Sequence, residues 1–214
     1  MSASAATAPE TLAVDEAARA AAEGALLAYP TETVWGLGAD ARRDDAVARL
    51  RRFKGREAAK PLSVLLPGPE ALPALEARVP PFASKLAAAF WPGPLTLVLA
   101  CTARLAPGVA REDGAVGLRC SPHPVAGALA RALLAQGAGP LTATSLNRSG
   151  APPAGTRAEA EAVCAAGPEA PRLVAGPDAG GGAPSTVVDA TGPRPVVLRE
   201  GAIAAADLFR LLGE

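Results

Sequence analysis

The sequence predicts an α/β or α+β domain built on one large mixed sheet. Three observations lead there. Short apolar runs alternate loosely with alanine-rich helical stretches, without strict β–α–β order. No repeat and no long linker divides the 214 residues, so one domain over 11–214 is expected behind a flexible tail at 1–10. Half of the residues are hydrophobic, enough for a sizeable core, and much of that share is alanine, which suits closely packed helices.

Val14–Glu23 reads as a helix, with Asp15 and Glu16 in its first turn and Gly24 closing it. Ala25–Tyr29 is a short apolar run and reads as a buried strand, stopped by Pro30. Residues 31–39, with Gly36 and Gly38, read as a loop. Asp44 and Asp45 start a helix to about Arg52, with Val47, Leu50 and Phe53 near helical spacing. Pro61–Leu66 is the next strand, followed by helical stretches at 69–78 and 81–90 and a turn forced by Trp91–Pro94. Leu95–Ala100 and Ala115–Cys120 read as strands, and His123–Gln136 as an apolar-striped helix. Pro140–Ser145 is a strand that runs into a loop at Asn147. A helix at 157–165, a strand at 171–175 and a glycine-rich loop at 175–184 follow. The loop has the composition of a mobile segment over a site. Strands Ser185–Asp189 and Pro195–Leu198 and a helix Ala204–Leu212 complete the chain.

Composition removes several function classes. Lys plus Arg and Asp plus Glu both number 21, which argues against a general nucleic-acid binder. Three dispersed cysteines and a single histidine, His123, supply neither a disulfide framework nor a zinc site. His123, between two prolines, reads as structural. The cysteine usage suits a reducing compartment, and neither a signal peptide nor a membrane span is read, so the cytoplasm is expected.

Against that composition two clusters stand out. Only three residues are lysines, and two of them, Lys54 and Lys60, flank Gly55-Arg56; Asn147 is the only asparagine. Gly55 lets the heads of Lys54 and Arg56 converge, and a phosphate would meet one point charge and one planar fork. A solvated helix end is the other reading. Ser145 and Asn147, two apart in extended backbone, share a face at a strand end, which is either a turn or the rim where open sheets bind ligands. Thr33 sits on the loop Tyr29-Pro-Thr-Glu-Thr-Val-Trp-Gly-Leu-Gly38 and reads as a pocket wall or a structural turn. Arg119 ends an apolar strand; it reads as a carboxylate clamp or a surface salt bridge. Ser185 and Arg199 are polar groups on apolar strands. No GxSxG, GxxxxGK[ST] or GxGxxG is present, so positioning and charge neutralisation would carry catalysis.

Taken together, Tyr29–Gly38, Lys54-Gly-Arg56, Lys60-Pro-Leu62, Trp91–Thr96, Val116–Arg119, Thr144–Gly150, Ser185–Asp189 and Leu198–Ile203 appear in an order that resembles the YrdC/Sua5/TsaC family, the threonylcarbamoyl-AMP synthases. The likeness runs from about residue 12 to 203. It implies a twisted open mixed sheet with helices on its faces and a large concave basic cavity. It implies conversion of L-threonine, bicarbonate or CO2, and ATP to threonylcarbamoyl-AMP, pyrophosphate and water, with Mg2+ on the ATP phosphates. The product serves the t6A37 modification of tRNA through downstream transferase proteins. By position, Lys54, Arg56 and Lys60 match the phosphate-facing cations, with Lys54 and Arg56 as catalytic groups. Ser145, Asn147 and Arg199 match ATP contacts, and the stretch near Gly155 or Thr156 another nucleotide contact. Thr33, Arg119 and Ser185 match the L-threonine site; no protein metal site is implied.

The chain departs from the family at three positions. Trp35 stands for the usual tyrosine, Leu65 for a histidine that many members place beside threonine, and Leu146 for a small residue whose loss would narrow the cleft. The likeness is to the short single-domain bacterial form. Two alternatives accompany it: a module binding structured RNA such as tRNA through the same cavity, and a paralogue making another carbamoyl or acyl adenylate. Lys54 and Arg56 are expected on a solvent-accessible rim, where alanine would lower turnover and spare the fold.

Overall fold

The computed structural model describes residues 9–55, 60–165 and 169–213. Eleven strands and six α-helices lie among them. The strands are β1 (Thr11–Leu12), β2 (Leu27–Tyr29), β3 (Gly36–Gly38), β4 (Ser63–Leu66), β5 (Ala77–Arg78) and β6 (Leu95–Cys101), then β7 (Ala115–Cys120), β8 (Leu141–Ser145), β9 (Arg172–Val174), β10 (Thr186–Asp189) and β11 (Val196–Arg199). The helices are α1 (Val14–Ala22), α2 (Asp44–Lys54), α3 (Pro81–Phe90), α4 (Pro124–Ala135), α5 (Arg157–Cys164) and α6 (Ala205–Leu212). The sheet runs β1-β9-β2-β3-β8-β4-β7-β6-β10-β11, open at both ends, with β5 beside β6. It is mixed: β4/β7 and β6/β10 are parallel, β4/β8 and β6/β7 antiparallel.

Strand alternation sends side chains into two cores. Val64, Leu66, Leu97, Leu99, Val116 and Leu118 join Val47, Leu50, Phe53 and Leu86 on one face. Leu27, Leu65 and Leu141 meet Ala17, Ala21, Leu129 and Leu133 of α1 and α4 on the other. α1 packs by β1 and β9, and α4 by β4. Arg119 and Thr96 lie in one register row of β7 and β6, and both line the cleft described below.

Most expected elements are present, and the departures have physical causes. Residues 36–38 form a strand rather than part of a loop. A Cβ on Gly36 would meet the Tyr29 ring at 2.7 Å, and one on Gly38 would meet Leu141 at 2.8 Å, so the glycines let large side chains of β2 and β8 cross this strand. The helix expected at 69–78 is a 3₁₀ turn over Pro69–Leu75 with Pro73 inside, and the chain then turns into β5. Of the expected tail, residues 1–8 lie outside the described residues; the Glu10 carbonyl accepts from Leu173 N at 2.9 Å. No described helix is long and apolar enough to cross a membrane.

Candidate functional site

A cleft of about 400 Å3 is lined by residues of β2, β3, β4, β6, β7, β8, β10 and β11. Lys54, Lys60, Ser145, Asn147, Thr33, Arg119, Ser185 and Arg199 all line it. Its charged lining residues, among those described, are Lys54, Lys60, Arg119 and Arg199. Arg56 lies outside the described residues.

One end is built where α2 meets the end of β8. Gly55, at φ 62°, closes α2 in the left-handed region and leaves Lys54 as its last helical residue. The Lys54 ammonium donates to the Ser145 carbonyl at 2.6 Å and to Asn147 Oδ1 at 2.8 Å. Ser145 Oγ donates to the same Oδ1 at 2.7 Å, and Asn147 Nδ2 donates to the Ala151 carbonyl at 2.6 Å. Residues 91 and 93 positions apart thus form one network. The expectation of a rim-exposed Lys54 is corrected: the residue is 4% exposed. Lys60 is exposed. Two arginines of α2 point elsewhere: Arg52 pairs with Glu169 at 2.8 Å, and Arg51 donates to the Gly108 carbonyl at 3.1 Å.

The other end lies over β6, β7 and β10. Arg119 Nη2 donates to Glu32 Oε1 at 2.5 Å and to Thr33 Oγ1 at 2.9 Å. The second Glu32 oxygen accepts from Ser121 Oγ. Arg119 is thus in a salt bridge, which is not at the open surface: the side-chain exposures are 14% for Arg119, which lines the cleft, and 16% for Glu32. Arg199 Nη2 donates to the Ser185 carbonyl at 2.8 Å, and Ser185 Oγ shares a hydrogen bond with Thr96 Oγ1 at 2.9 Å. Burial, and then the nearby charge of Arg119, holds Arg199 below the ordinary arginine range. Two guanidinium groups facing one space favour an anion between them.

The loop from Tyr29 read as a pocket wall does line the cleft, with Tyr29, Thr33 and Trp35 among its lining residues; sequence reasoning missed Ser63 and Thr96 as lining residues and Glu32 as the partner of Arg119. Thr96 carried a signal, a polar residue alternating with leucines on β6. Leu146 is fully buried in the core behind the strand, so it does not narrow the cleft. Leu65 does line it, in register with Arg119. Trp35 is buried, and its indole N–H donates to Asp178 Oδ1 at 2.7 Å. Thr156 caps α5 by accepting from Glu159 N at 3.3 Å, and neither it nor Gly155 lines the cleft. His123 is structural, and it has partners: Nδ1 accepts from Val125 N at the start of α4, which places the proton on Nε2, 3.2 Å from the Asp178 carbonyl.

A family model for Sua5, YciO and YrdC proteins, described as "Telomere recombination", matches residues 19–201. A threonylcarbamoyl-AMP synthase of Bacillus subtilis (strain 168) is 37% identical over 201 residues, covering 94% of this chain and 56% of that protein. The chain thus spans about half the length of this relative. A threonylcarbamoyl-AMP synthase of Chromohalobacter salexigens is 39% identical over 176 residues, covering 82% of this chain and 91% of that one. The crystal structure of P. abyssi Sua5 complexed with L-threonine matches with a TM-score of 0.83 at 35% identity, over 94% of this chain and 57% of that one.

Proposed function

Because the chain belongs to the Sua5/YciO/YrdC family, we propose that it is a threonylcarbamoyl-AMP synthase, joining L-threonine, bicarbonate or CO2 and ATP. The observation that carries this reading is one cleft with an oxyanion-binding arginine at one end and a lysine–asparagine network at the other. The relatives' shared name and the threonine bound to P. abyssi Sua5 support it.

Arg119 and Thr33 would receive the threonine carboxylate, with Ser185 beside them. The neutral amine adds to the carbon of CO2, a C=O π pair moves onto oxygen, and the nitrogen gives up one proton to water, leaving a carbamate. A carbamate oxygen then attacks the α-phosphorus of ATP; the new O–P bond forms as the bond to the bridging oxygen of the β-phosphate breaks, and pyrophosphate leaves. Lys54, Lys60 and Arg56 would meet the growing charge on the phosphates, Ser145 and Asn147 would orient the triphosphate, and Arg199 would add a cation between the two substrates. The cleft's described lining offers cations and hydroxyls rather than carboxylates, so Mg2+ would enter as MgATP, on its substrate. No acid–base residue is assigned. The product would pass to the transferases that modify adenosine 37 of tRNA in the cytoplasm.

The test is pyrophosphate release with MgATP, bicarbonate and L-threonine. Release that needs all three, with an adduct of threonylcarbamoyl-AMP mass, supports the reading. Release dependent on a different amino acid would move it to another adenylate. No release, with salt-sensitive RNA binding, would replace it with the RNA-binding module.

A further inference from the structure

Arg119 lines the cleft and already holds a carboxylate, that of Glu32, which lies behind the lining. Nη2 has two N–H groups; one donates to Glu32 at 2.5 Å and the other to Thr33 at 2.9 Å. Glu32 uses its second oxygen on Ser121. On the same edge of the guanidinium, Nε is buried and has no hydrogen-bond partner among the described residues. An arginine binds a carboxylate best side-on, through Nε and Nη2 together. Here that edge is half used: one donor is taken by Glu32 and Thr33, and its neighbour is orphaned, a costly state for a buried N–H.

From this geometry we infer that Glu32 is a resident carboxylate that an incoming substrate carboxylate displaces from Arg119, so that Glu32 sets the affinity and selectivity of this end of the cleft. The inference rests on the proposed role of Arg119 as receiver of the substrate's carboxylate. Three features carry it. The exchange satisfies the orphaned Nε, because a substrate carboxylate can span Nε and Nη2. It needs only a side-chain rotation, since the backbone on both sides of Glu32 is tied down: Gly180 N donates to the Thr31 carbonyl at 2.9 Å and Gly182 N to the Thr33 carbonyl at 3.0 Å. And the resident group competes at the high effective concentration of an intramolecular ligand. A bare monocarboxylate then fails to enter, while an amino acid with further hydrogen bonds to the hydroxyls of Thr33, Thr96 or Ser185 succeeds. Like charges sharing one guanidinium repel, so a substrate bound without displacing Glu32 would be weakened.

The test is calorimetric titration of the full chain with L-threonine and, separately, with acetate, for wild type, Glu32→Gln and Ser121→Ala. Glutamine keeps the shape and removes the charge; Ser121→Ala loosens the hold on Glu32 and leaves Arg119 in place. The expected result is threonine binding about tenfold tighter in E32Q, acetate binding in E32Q alone, an intermediate S121A and an ATP affinity within about twofold of wild type. Equal or weaker threonine binding by folded E32Q would overturn the displacement, because a purely orienting glutamate gives that result. Should E32Q not fold, S121A decides: tighter threonine binding supports the inference, unchanged or weaker binding overturns it. If threonine binds no variant, the substrate reading fails, and acetate still decides here: binding to E32Q alone supports displacement, binding to none overturns it.

Discussion

At one end of the cleft Lys54 donates to two uncharged oxygens, the Ser145 carbonyl and the Asn147 amide; at the other Arg119 donates to the Glu32 carboxylate. Both cations are nearly buried, and their surroundings treat the charge differently. A carbonyl and an amide orient an ammonium through uncharged oxygens. A carboxylate orients a guanidinium and neutralises it, so a new anion has to compete. The first arrangement suits a polyphosphate that brings several charges; the second suits a small substrate that must be selected by its other groups.

Breaking the first end should have the largest effect. Lys54→Ala is expected to lower turnover about 100-fold or more, because it removes a cation proposed to meet the phosphates. It should also lower the melting temperature, since two part-buried hydrogen bonds are lost, at about 1 kcal/mol each. Pyrophosphate release and a melting curve check both; near-normal turnover would contradict the phosphate role. Asn147→Ala keeps the ammonium and loses its orientation, for an expected drop in turnover of about tenfold.

Arg199→Ala sharpens the division between the ends. Arg199 holds the Ser185 carbonyl, so its loss should raise the apparent KM for threonine about fivefold. A change confined to the KM for ATP would show that Arg199 belongs with the phosphates. Trp35→Phe should cost about 1 kcal/mol of stability by cutting the bond to Asp178, with a smaller effect on turnover.

The pH dependence of stability should come from outside the cleft. Arg111 donates to Asp113 and holds that carboxyl down to about 2, and hydrogen bonds from Thr191 and Arg111 outweigh burial to lower Asp189. Folded-state values below the unfolded range of about 4 mean that this stabilisation is present above that pH and is lost as the pH falls towards 2. The smallest expected effect is at the thiols. Burial pushes Cys101 up to about 11 and Cys120 and Cys164 up to about 12, so the native protein should resist alkylation at pH 8 until it is unfolded.

Much of this was legible because the chemistry-bearing residues break a monotonous composition. A lone asparagine and two neighbouring lysines in an arginine-rich chain marked one end, and Arg119 on an apolar strand marked the other. Alternation then told which side chains face the cleft at the end of β8: Ser145 and Asn147 line it, and Leu146 between them goes to the core. What stayed hidden depends on distance. Glu32 meets Arg119 across 87 positions and Asp178 meets Trp35 across 143, and no local spacing announces either. The β3 strand was hidden because glycine signals a turn, whereas here it makes room for Tyr29 and Leu141.

The most direct measurement is a structure of the protein bound to L-threonine and a non-hydrolysable ATP analogue. The account predicts the threonine carboxylate on Nε and Nη2 of Arg119 with Glu32 turned away, and the triphosphate against Lys54, Lys60, Ser145 and Asn147 in the same cleft. A nucleotide bound on another face of the sheet, or threonine away from Arg119, would contradict it.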